Sequence, residues 1–421
     1  MLGLLRTVVV AGLLALAAGA AAQPASLGGV PVAGYAAARI DPDGHLHAFA
    51  EGAAELAPDG RIVRPLAPET PMRIASISKV IVALAILRLA DAGRLSLDDP
   101  ASLHLGWPLV HPLHPDAPVT IRLLLRHESS LSDAGGYGMR LGDRLPDALP
   151  AAMWSKARPG TRFDYANLNS VILATIVEKL TATRFDEAAQ TLVLRPLRIA
   201  GCFNWSLCPA GFADAGAILY RKSADFGGSW APDGPWVPQV DTQRPAAGCP
   251  VRLADGQTCD LAAIVPGTNG GLFAPQGGLR ISVVELAWLG AALLDREAGF
   301  LKPATWDLLF EAVPVQPGGD GSETDTRLMQ VWSVGGLHCF SGSGEAGGDQ
   351  PLAPRPMAGC GHLGEAYGLF SGLVIDPSAR TVAAWALTGT ADRPAPGAFS
   401  RFNRLEELLI ARTLSAGMVT D

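Results

Sequence analysis

Basic residues are scarce in this chain. Only 33 Lys and Arg stand against 40 Asp and Glu in 421 residues, and just five are lysines, at 79, 156, 179, 222 and 302. The net charge of −7 and a pI of about 5.6 argue against nucleic acid, whose phosphates attract a concentrated basic surface. No run of Lys and Arg is long enough for a membrane-surface patch. Several signatures of chemistry are missing too. There is no C-x-x-C pair for zinc, no H-E-x-x-H, no P-loop, no strand-anchored G-x-G-x-x-G and no G-x-S-x-G nucleophile elbow. His111, His114 and Asp116 sit among Pro112, Pro115 and Pro118, a loop setting that does not build a metal centre. No metal or cofactor is expected.

What is present is apolar. A hydrophobic content of 48% with only 17% charged residues excludes disorder, and no glycine period suggests a fibre. The length suffices for a large core in one or two domains. Residues 1–22 read as an export signal: Arg6 precedes an uncharged stretch, Thr7 to Ala22, that ends in Ala20-Ala21-Ala22. The stretch is too short and Ala-rich for a membrane anchor, so no stable span is expected once it is removed. An exported, periplasmic or secreted protein follows. The six cysteines agree, because Cys202 and Cys208, Cys249 and Cys259, and Cys339 and Cys360 form three sequence-local groups. An oxidising compartment would let each group close a loop, although six cysteines allow 15 connectivities.

Val32–Ala38 and His45–Glu51 read as strands joined through Asp41-Pro42-Asp43-Gly44, with a third extended piece at Pro71–Ala75. The run from Val80 to Leu87 is apolar on all sides, as a buried helix is, and stops near Gly93. Helices are expected at Ile121–Leu125, Asn169–Thr181, Ser282–Leu294 and Pro303–Ala312, with an irregular stretch from 200 to 275. Strands return at Tyr367–Asp376 and Thr381–Thr388, and a last helix spans Ser400–Leu414. The pattern predicts an α/β (α+β) fold with an antiparallel sheet built from both chain ends. Residues 23–100 and 325–421 would form it, with 101–324 as an inserted, mainly helical and loop-rich domain.

Three motifs carry candidate chemistry. Ser76-Ile77-Ser78-Lys79 falls where the extended approach meets the buried helix, which places Ser76 at a helix N-terminus with Lys79 one turn on, able to take its proton. In Tyr165-Ala166-Asn167, alternation along an extended segment puts Tyr165 and Asn167 on one side. A lysine cation nearby would lower the phenol's pKa and make it a base. In Gly361-His362-Leu363-Gly364, running into the strand Tyr367–Asp376, His362 would supply a hydrogen bond or positive charge. Gly364 would let a substrate backbone approach closely.

S-x-x-K, Y-x-N and H-x-G in this order resemble the serine β-lactamase and penicillin-binding-protein superfamily. The likeness is closest to the branch of class C β-lactamases, D-alanyl-D-alanine carboxypeptidases and related esterases. Thr120-Ile121-Arg122-Leu123-Leu124-Leu125-Arg126-His127-Glu128-Ser129-Ser130-Leu131 is similar to that branch's T-I-R-x-L-L-x-H-T-S-G-L segment, with Ser130 where Gly is usual. Pro275-Gln276-Gly277-Gly278-Leu279 and His362-Leu363-Gly364-Glu365-Ala366-Tyr367-Gly368 match two further stretches. The resemblance implies a β-lactamase/transpeptidase-like fold and acyl transfer through an ester on Ser76, with Lys79 and Tyr165 sharing the proton. Asn167 would hold Lys79 or the substrate amide, and the backbone N–H groups of Ser76 and Glu365 would form the oxyanion hole. H-x-G in place of K-T-G favours a peptidase or esterase acting on a small-molecule or peptide acyl substrate. A class C-like β-lactamase is the alternative, and a non-catalytic penicillin-recognising sensor the alternative of another class. The substrate and the oligomeric state are not legible.

Overall fold

The protein is described by a computed structural model over residues 24–150, 152–223, 230–242, 248–316, 331–340, 349, 358–391, 395–398, 400 and 402–415. The export segment read at 1–22 lies outside these residues. Among them, nine antiparallel strands form the main sheet. Three come early, β1 (Gly34–Ile40), β2 (Leu46–Leu56) and β3 (Ile62–Pro65). Six come late, β4 (Ala312–Pro314), β5 (Val331–Ser333), β6 (His338–Phe340), β7 (Gly359–Ala366), β8 (Leu369–Asp376) and β9 (Thr381–Thr388). Their order is β4-β5-β6-β7-β8-β9-β1-β2-β3. Tyr35 of β1 pairs with Leu387 of β9, so the sheet is built from both ends of the chain, as the strand pattern predicts.

Period-2 alternation divides the side chains of β1 and β9 between two cores. Ala36, Ala38, Ile40, Val382, Ala384 and Ala386 join the large core with helices α1 (Ser78–Asp91), α2 (Asn167–Thr181) and α3 (Val283–Leu294). Tyr35, Ala37, Ala383, Trp385 and Leu387 face the opposite layer, where helix α4 (Arg404–Ser415) contributes Leu405, Leu409 and Ile410. Helix α1 is buried from Ser78 through Leu87, as its all-apolar run requires, and the chain leaves it through Gly93 at φ +67°.

Several boundaries differ from the sequence reading. The extended piece at Pro71–Ala75 is a strand only at Met72–Arg73, because the chain must turn through the 3₁₀ segment Ala75–Ile77 to enter α1. The helix expected at Pro303–Ala312 ends at Phe310, and Ala312–Pro314 becomes the edge strand β4. The H-x-G motif does not run into the strand Tyr367–Asp376. It lies on its own strand, β7, and turns at Tyr367-Gly368 into β8. The stretch from 200 to 275 holds the strands Gly201–Phe203, Leu219–Lys222 and Trp236–Val240, and disulfides Cys202–Cys208 and Cys249–Cys259 close loops within it. The third disulfide joins Cys339 to Cys360, directly opposite each other on β6 and β7. All three local pairs are therefore joined.

Ser130, the departure from glycine noted in the sequence, has φ +65° and a buried hydroxyl with no hydrogen-bond partner. A left-handed backbone disfavours any side chain here. Ser130→Gly is expected to raise the free energy of unfolding by about 1 kcal/mol, measured by urea denaturation. An unchanged or lowered midpoint would contradict this account.

Candidate active site

Ser76 lies in the 3₁₀ turn Ala75–Ile77, half-buried at the entrance of α1, with Ala75 held at φ +48° just before it. The turn is anchored by the other serine of the motif. Ser78 donates to the Ala75 carbonyl at 2.7 Å and accepts from the Leu279 N–H at 2.9 Å. One helical turn beyond Ser76, the Lys79 ammonium sits 3.0 Å from Ser76 Oγ, 2.8 Å from Asn167 Oδ1 and 2.9 Å from the Gln276 carbonyl. Burial pushes Lys79 down to about 7. The nearby Asp133 charge opposes this and the Arg73 charge adds to it. A substantial fraction of Lys79 is thus neutral at physiological pH.

Asn167 is the first residue of α2, not part of an extended run, yet Ala166 before it is extended and Tyr165 still arrives on the same side. The Tyr165 ring centroid lies 4.8 Å from Lys79 Nζ. It stacks on His127 at 4.4 Å with the planes 19° apart, and Trp332 meets it edge-on. The expected lowering of the phenol's pKa does not occur. Burial raises Tyr165 well above the ordinary tyrosine value, and its hydrogen bonding toward Ser76 only partly offsets this. Desolvation dominates, and the nearby Asp133 charge adds to it.

The third motif is also corrected. His362 is fully buried, and burial first, then the Lys79 charge, hold its pKa well below the ordinary histidine value. It is neutral, with Nδ1 2.5 Å from the Leu363 carbonyl, so it brings no positive charge. Gly364 does allow a close approach, but to this chain. A β-carbon there would collide with the Ile74 carbonyl and Ser371 Oγ and would stand 3.3 Å from Ser76 N. The glycine thus seats β7 against the turn that carries Ser76. Among the described residues β6 pairs with β7 only from Gly359 to Gly361, and the Ser76 turn packs over Gly364 and Ser371 of β7 and β8 beyond that pairing. The side chain of Glu365 alternates to the α4 side, where its charge helps raise buried Glu406 to about 8.

Several residues here escaped the sequence reading. Asp133 accepts from the Asn167 N–H at 2.8 Å, from Asn167 Nδ2 at 2.8 Å and from the Leu168 N–H at 3.1 Å. It caps α2 across 34 residues of sequence and orients the Asn167 amide so that Oδ1 faces Lys79. His127 Nδ1 accepts from the Ala166 N–H at 3.1 Å and lies 3.0 Å from Asn169 Nδ2, which locks the floor under Tyr165. In the proline-rich segment, His111 Nδ1 accepts from the Leu113 N–H and Nε2 lies 2.9 Å from the Ser155 carbonyl, while Asp116 pairs with Arg158.

A serine, a lysine of depressed pKa, and an enclosed tyrosine beside strand β7, on this mixed α/β frame, define a serine hydrolase. The profile of the Beta-lactamase family matches residues 36–402, and the chain belongs to that family. Over 188 residues it is 35% identical to esterase EstB of Burkholderia gladioli, a match covering 40% of this chain and 46% of that protein. Over 137 residues it is 31% identical to protein flp of Staphylococcus aureus strain N315, covering 31% and 28%. The chain thus spans less than half the length of these curated relatives. Among solved structures, D-amino acid amidase from Ochrobactrum anthropi SV3 superposes with a TM-score of 0.62 at 18% identity, over 91% of this chain and 94% of that one. The octameric penicillin-binding protein homologue from Pyrococcus abyssi gives 0.60 at 22%, over 92% and 74%. At these identities the structural likeness is one of fold.

Proposed function

We propose that this protein is an exported hydrolase that works through an acyl-enzyme on Ser76 and cleaves a small ester or a D-amino-acid peptide, in the manner of a D-Ala-D-Ala carboxypeptidase or esterase. The observation that carries the reading is the 3.0 Å contact between Ser76 Oγ and a lysine pushed down to about 7. Ser76 Oγ bonds to the substrate carbonyl carbon while its proton passes to neutral Lys79. The Tyr165 hydroxyl protonates the leaving group as the acyl–leaving-group bond breaks, and Lys79 returns a proton to Tyr165. Water repeats the sequence on the ester, its proton taken by the same pair. Lys79 is the base in this scheme, since Tyr165 holds its proton too tightly to begin as one. Asn167 positions Lys79. The backbone N–H groups of Ser76 and Glu365 stabilise the oxyanion, a contribution of about 3 kcal/mol per donor.

The neutral His362 supports peptidase or esterase over β-lactamase, and the partial identity to an esterase supports it further. A sensor role is disfavoured because Ser76, Lys79 and Tyr165 are all retained. Export is supported by the three disulfides, and among the described residues no helix is long and apolar enough to cross a membrane. We also propose the division into a sheet domain, 23–100 with 325–421, and an inserted domain, 101–324, whose last strand, Ala312–Pro314, returns to the edge of the sheet.

The deciding test is the intact mass after brief exposure to a penicillin, with the drug assayed in the same tube. A lasting adduct on Ser76 supports a penicillin-recognising peptidase. Destroyed drug means a β-lactamase, and intact drug without adduct turns the assay to esters. Tyr165→Phe is expected to slow turnover by about 10²-fold and to let the acyl-enzyme accumulate, visible as added mass on Ser76 during steady state. Unaltered turnover would remove Tyr165 from the scheme.

A further inference from the structure

Three residues before Ser76, Arg73 ends the short strand Met72–Arg73. Met72 points into the core, so Arg73 points out of it, toward the cleft wall. Its guanidinium lies 5.0 Å over the ring of Tyr367, and its Nη2 would stand 3.2 Å from a β-carbon on Gly277. Gly277 follows Gln276, whose carbonyl accepts from Lys79, so the guanidinium lines the wall that holds the catalytic pair. Among the described residues Arg73 makes no ion pair, and its Nε is shut from solvent with no hydrogen-bond partner.

Its neighbour across the strand pair also leaves Nε without a partner but, unlike Arg73, uses both terminal nitrogens. Arg280, in register with Arg73, donates to Asn204 Oδ1 at 2.6 Å, to the Gly278 carbonyl at 2.8 Å and to Asp241 Oδ1 at 3.0 Å. Asp241 Oδ1 is also occupied by the Trp205 indole N–H at 2.7 Å, and Asp241 acts on Arg73 only through space. Two guanidiniums thus share one carboxylate. Burial, then Arg280, lowers Arg73 to about 10, which leaves it a cation at neutral pH. A half-buried cation that must share its counter-charge with a second guanidinium is better stabilised when a ligand brings another.

We propose that Arg73 is the anion-binding residue of the cleft, and that the substrate is an acyl compound bearing a carboxylate, which this guanidinium holds beside Ser76 while Tyr367 flanks it. This rests on Ser76 being the nucleophile. It also assigns the charge that the third motif lacks, because His362 is neutral and Lys79 is only partly charged.

The test compares two matched pairs of esters. The first pair is p-nitrophenyl hemisuccinate against p-nitrophenyl butyrate, with the charge on the acyl side. The second is 4-acetoxybenzoate against its methyl ester, with the charge on the leaving side. For wild type, Arg73→Gln and Arg73→Lys, kcat/KM is measured on all four. In at least one pair, read at about pH 9 where Lys79 is mostly neutral, Arg73→Gln is expected to lower kcat/KM on the anionic member by about 10- to 100-fold more than on the neutral member, mostly through KM; near pH 7 both members also slow, because the Arg73 charge helps depress Lys79. Arg73→Lys should restore part of the loss. Equal changes on both members of both pairs would overturn the proposal. If Arg73→Gln does not fold, the salt dependence of wild-type KM decides: it must rise with ionic strength for the anionic member of a pair and not for the neutral one. A flat dependence for both pairs overturns the assignment. Ser76→Ala run on the butyrate separates the two levels. Hydrolysis that survives it sinks the nucleophile and the Arg73 assignment together, whereas hydrolysis that is lost while neither pair discriminates sinks Arg73 alone.

Discussion

Ser76→Ala is expected to reduce ester hydrolysis by at least about 10⁴-fold and to abolish any covalent adduct with a penicillin. The loss is large because Ser76 Oγ is the bond-forming atom and no other hydroxyl stands 3.0 Å from Lys79 among the described residues. Stability should barely move. The side chain is half-buried and its hydrogen bonding goes only to the catalytic neighbours, whereas the anchoring bonds of the turn belong to Ser78. A variant that melts with wild type but turns over nothing meets the expectation. Activity within tenfold of wild type would show that another group attacks.

Lys79→Met is the second large effect, a fall of about 10²- to 10⁴-fold in the acylation rate, read as the burst after mixing with an activated ester. The pH dependence carries the finer prediction. Lys79 is depressed from an ordinary 10.5 to about 7, and only its neutral form accepts the Ser76 proton. Below pH 7 the ammonium dominates and the rate rises tenfold per pH unit. Above about 8 the lysine is mostly neutral and the rate levels off. His362 and His127 are held neutral by burial and add no inflection near 6.5. In Lys79→Met the rising limb should vanish. Its persistence with a midpoint near 7 would assign the titration to another group. Asp133→Asn bears on the same limb: removing the carboxylate that raises the Lys79 pKa should move the midpoint to lower pH.

Much of this site can be read from the sequence because its chemistry is local. S-x-x-K needs only one helical turn to bring Ser76 and Lys79 together, and the apolar run after it marks the helix as buried. The largely apolar strands Leu369–Asp376 and Thr381–Thr388 are equally plain, since a strand buried on both faces advertises itself. What stayed hidden is long-range or electrostatic. Asp133 looks like any loop aspartate until the fold lays it on the first turn of α2. Gly364 reads as room for a substrate, and only the packing shows that the Ile74 carbonyl already occupies it. The Tyr165 pKa went the other way because motif spacing reports proximity to a cation but says nothing about how dry the enclosure is. Arg73 is one of many arginines in the chain, and its want of a partner is a property of the folded wall alone.

The pairing of Tyr35 with Leu387 has a consequence for how the chain reaches its native state. Closing β1 onto β9 joins segments separated by almost the whole sequence, so contact order is high and the loop-closure entropy must be met before the central seam of the sheet forms. Until β9 is available, the β1–β2 hairpin keeps an open edge and half of Tyr35's core is missing. The central seam of the sheet therefore cannot close before β9 has been made, and the chain commits to its native topology only once its last strand has arrived.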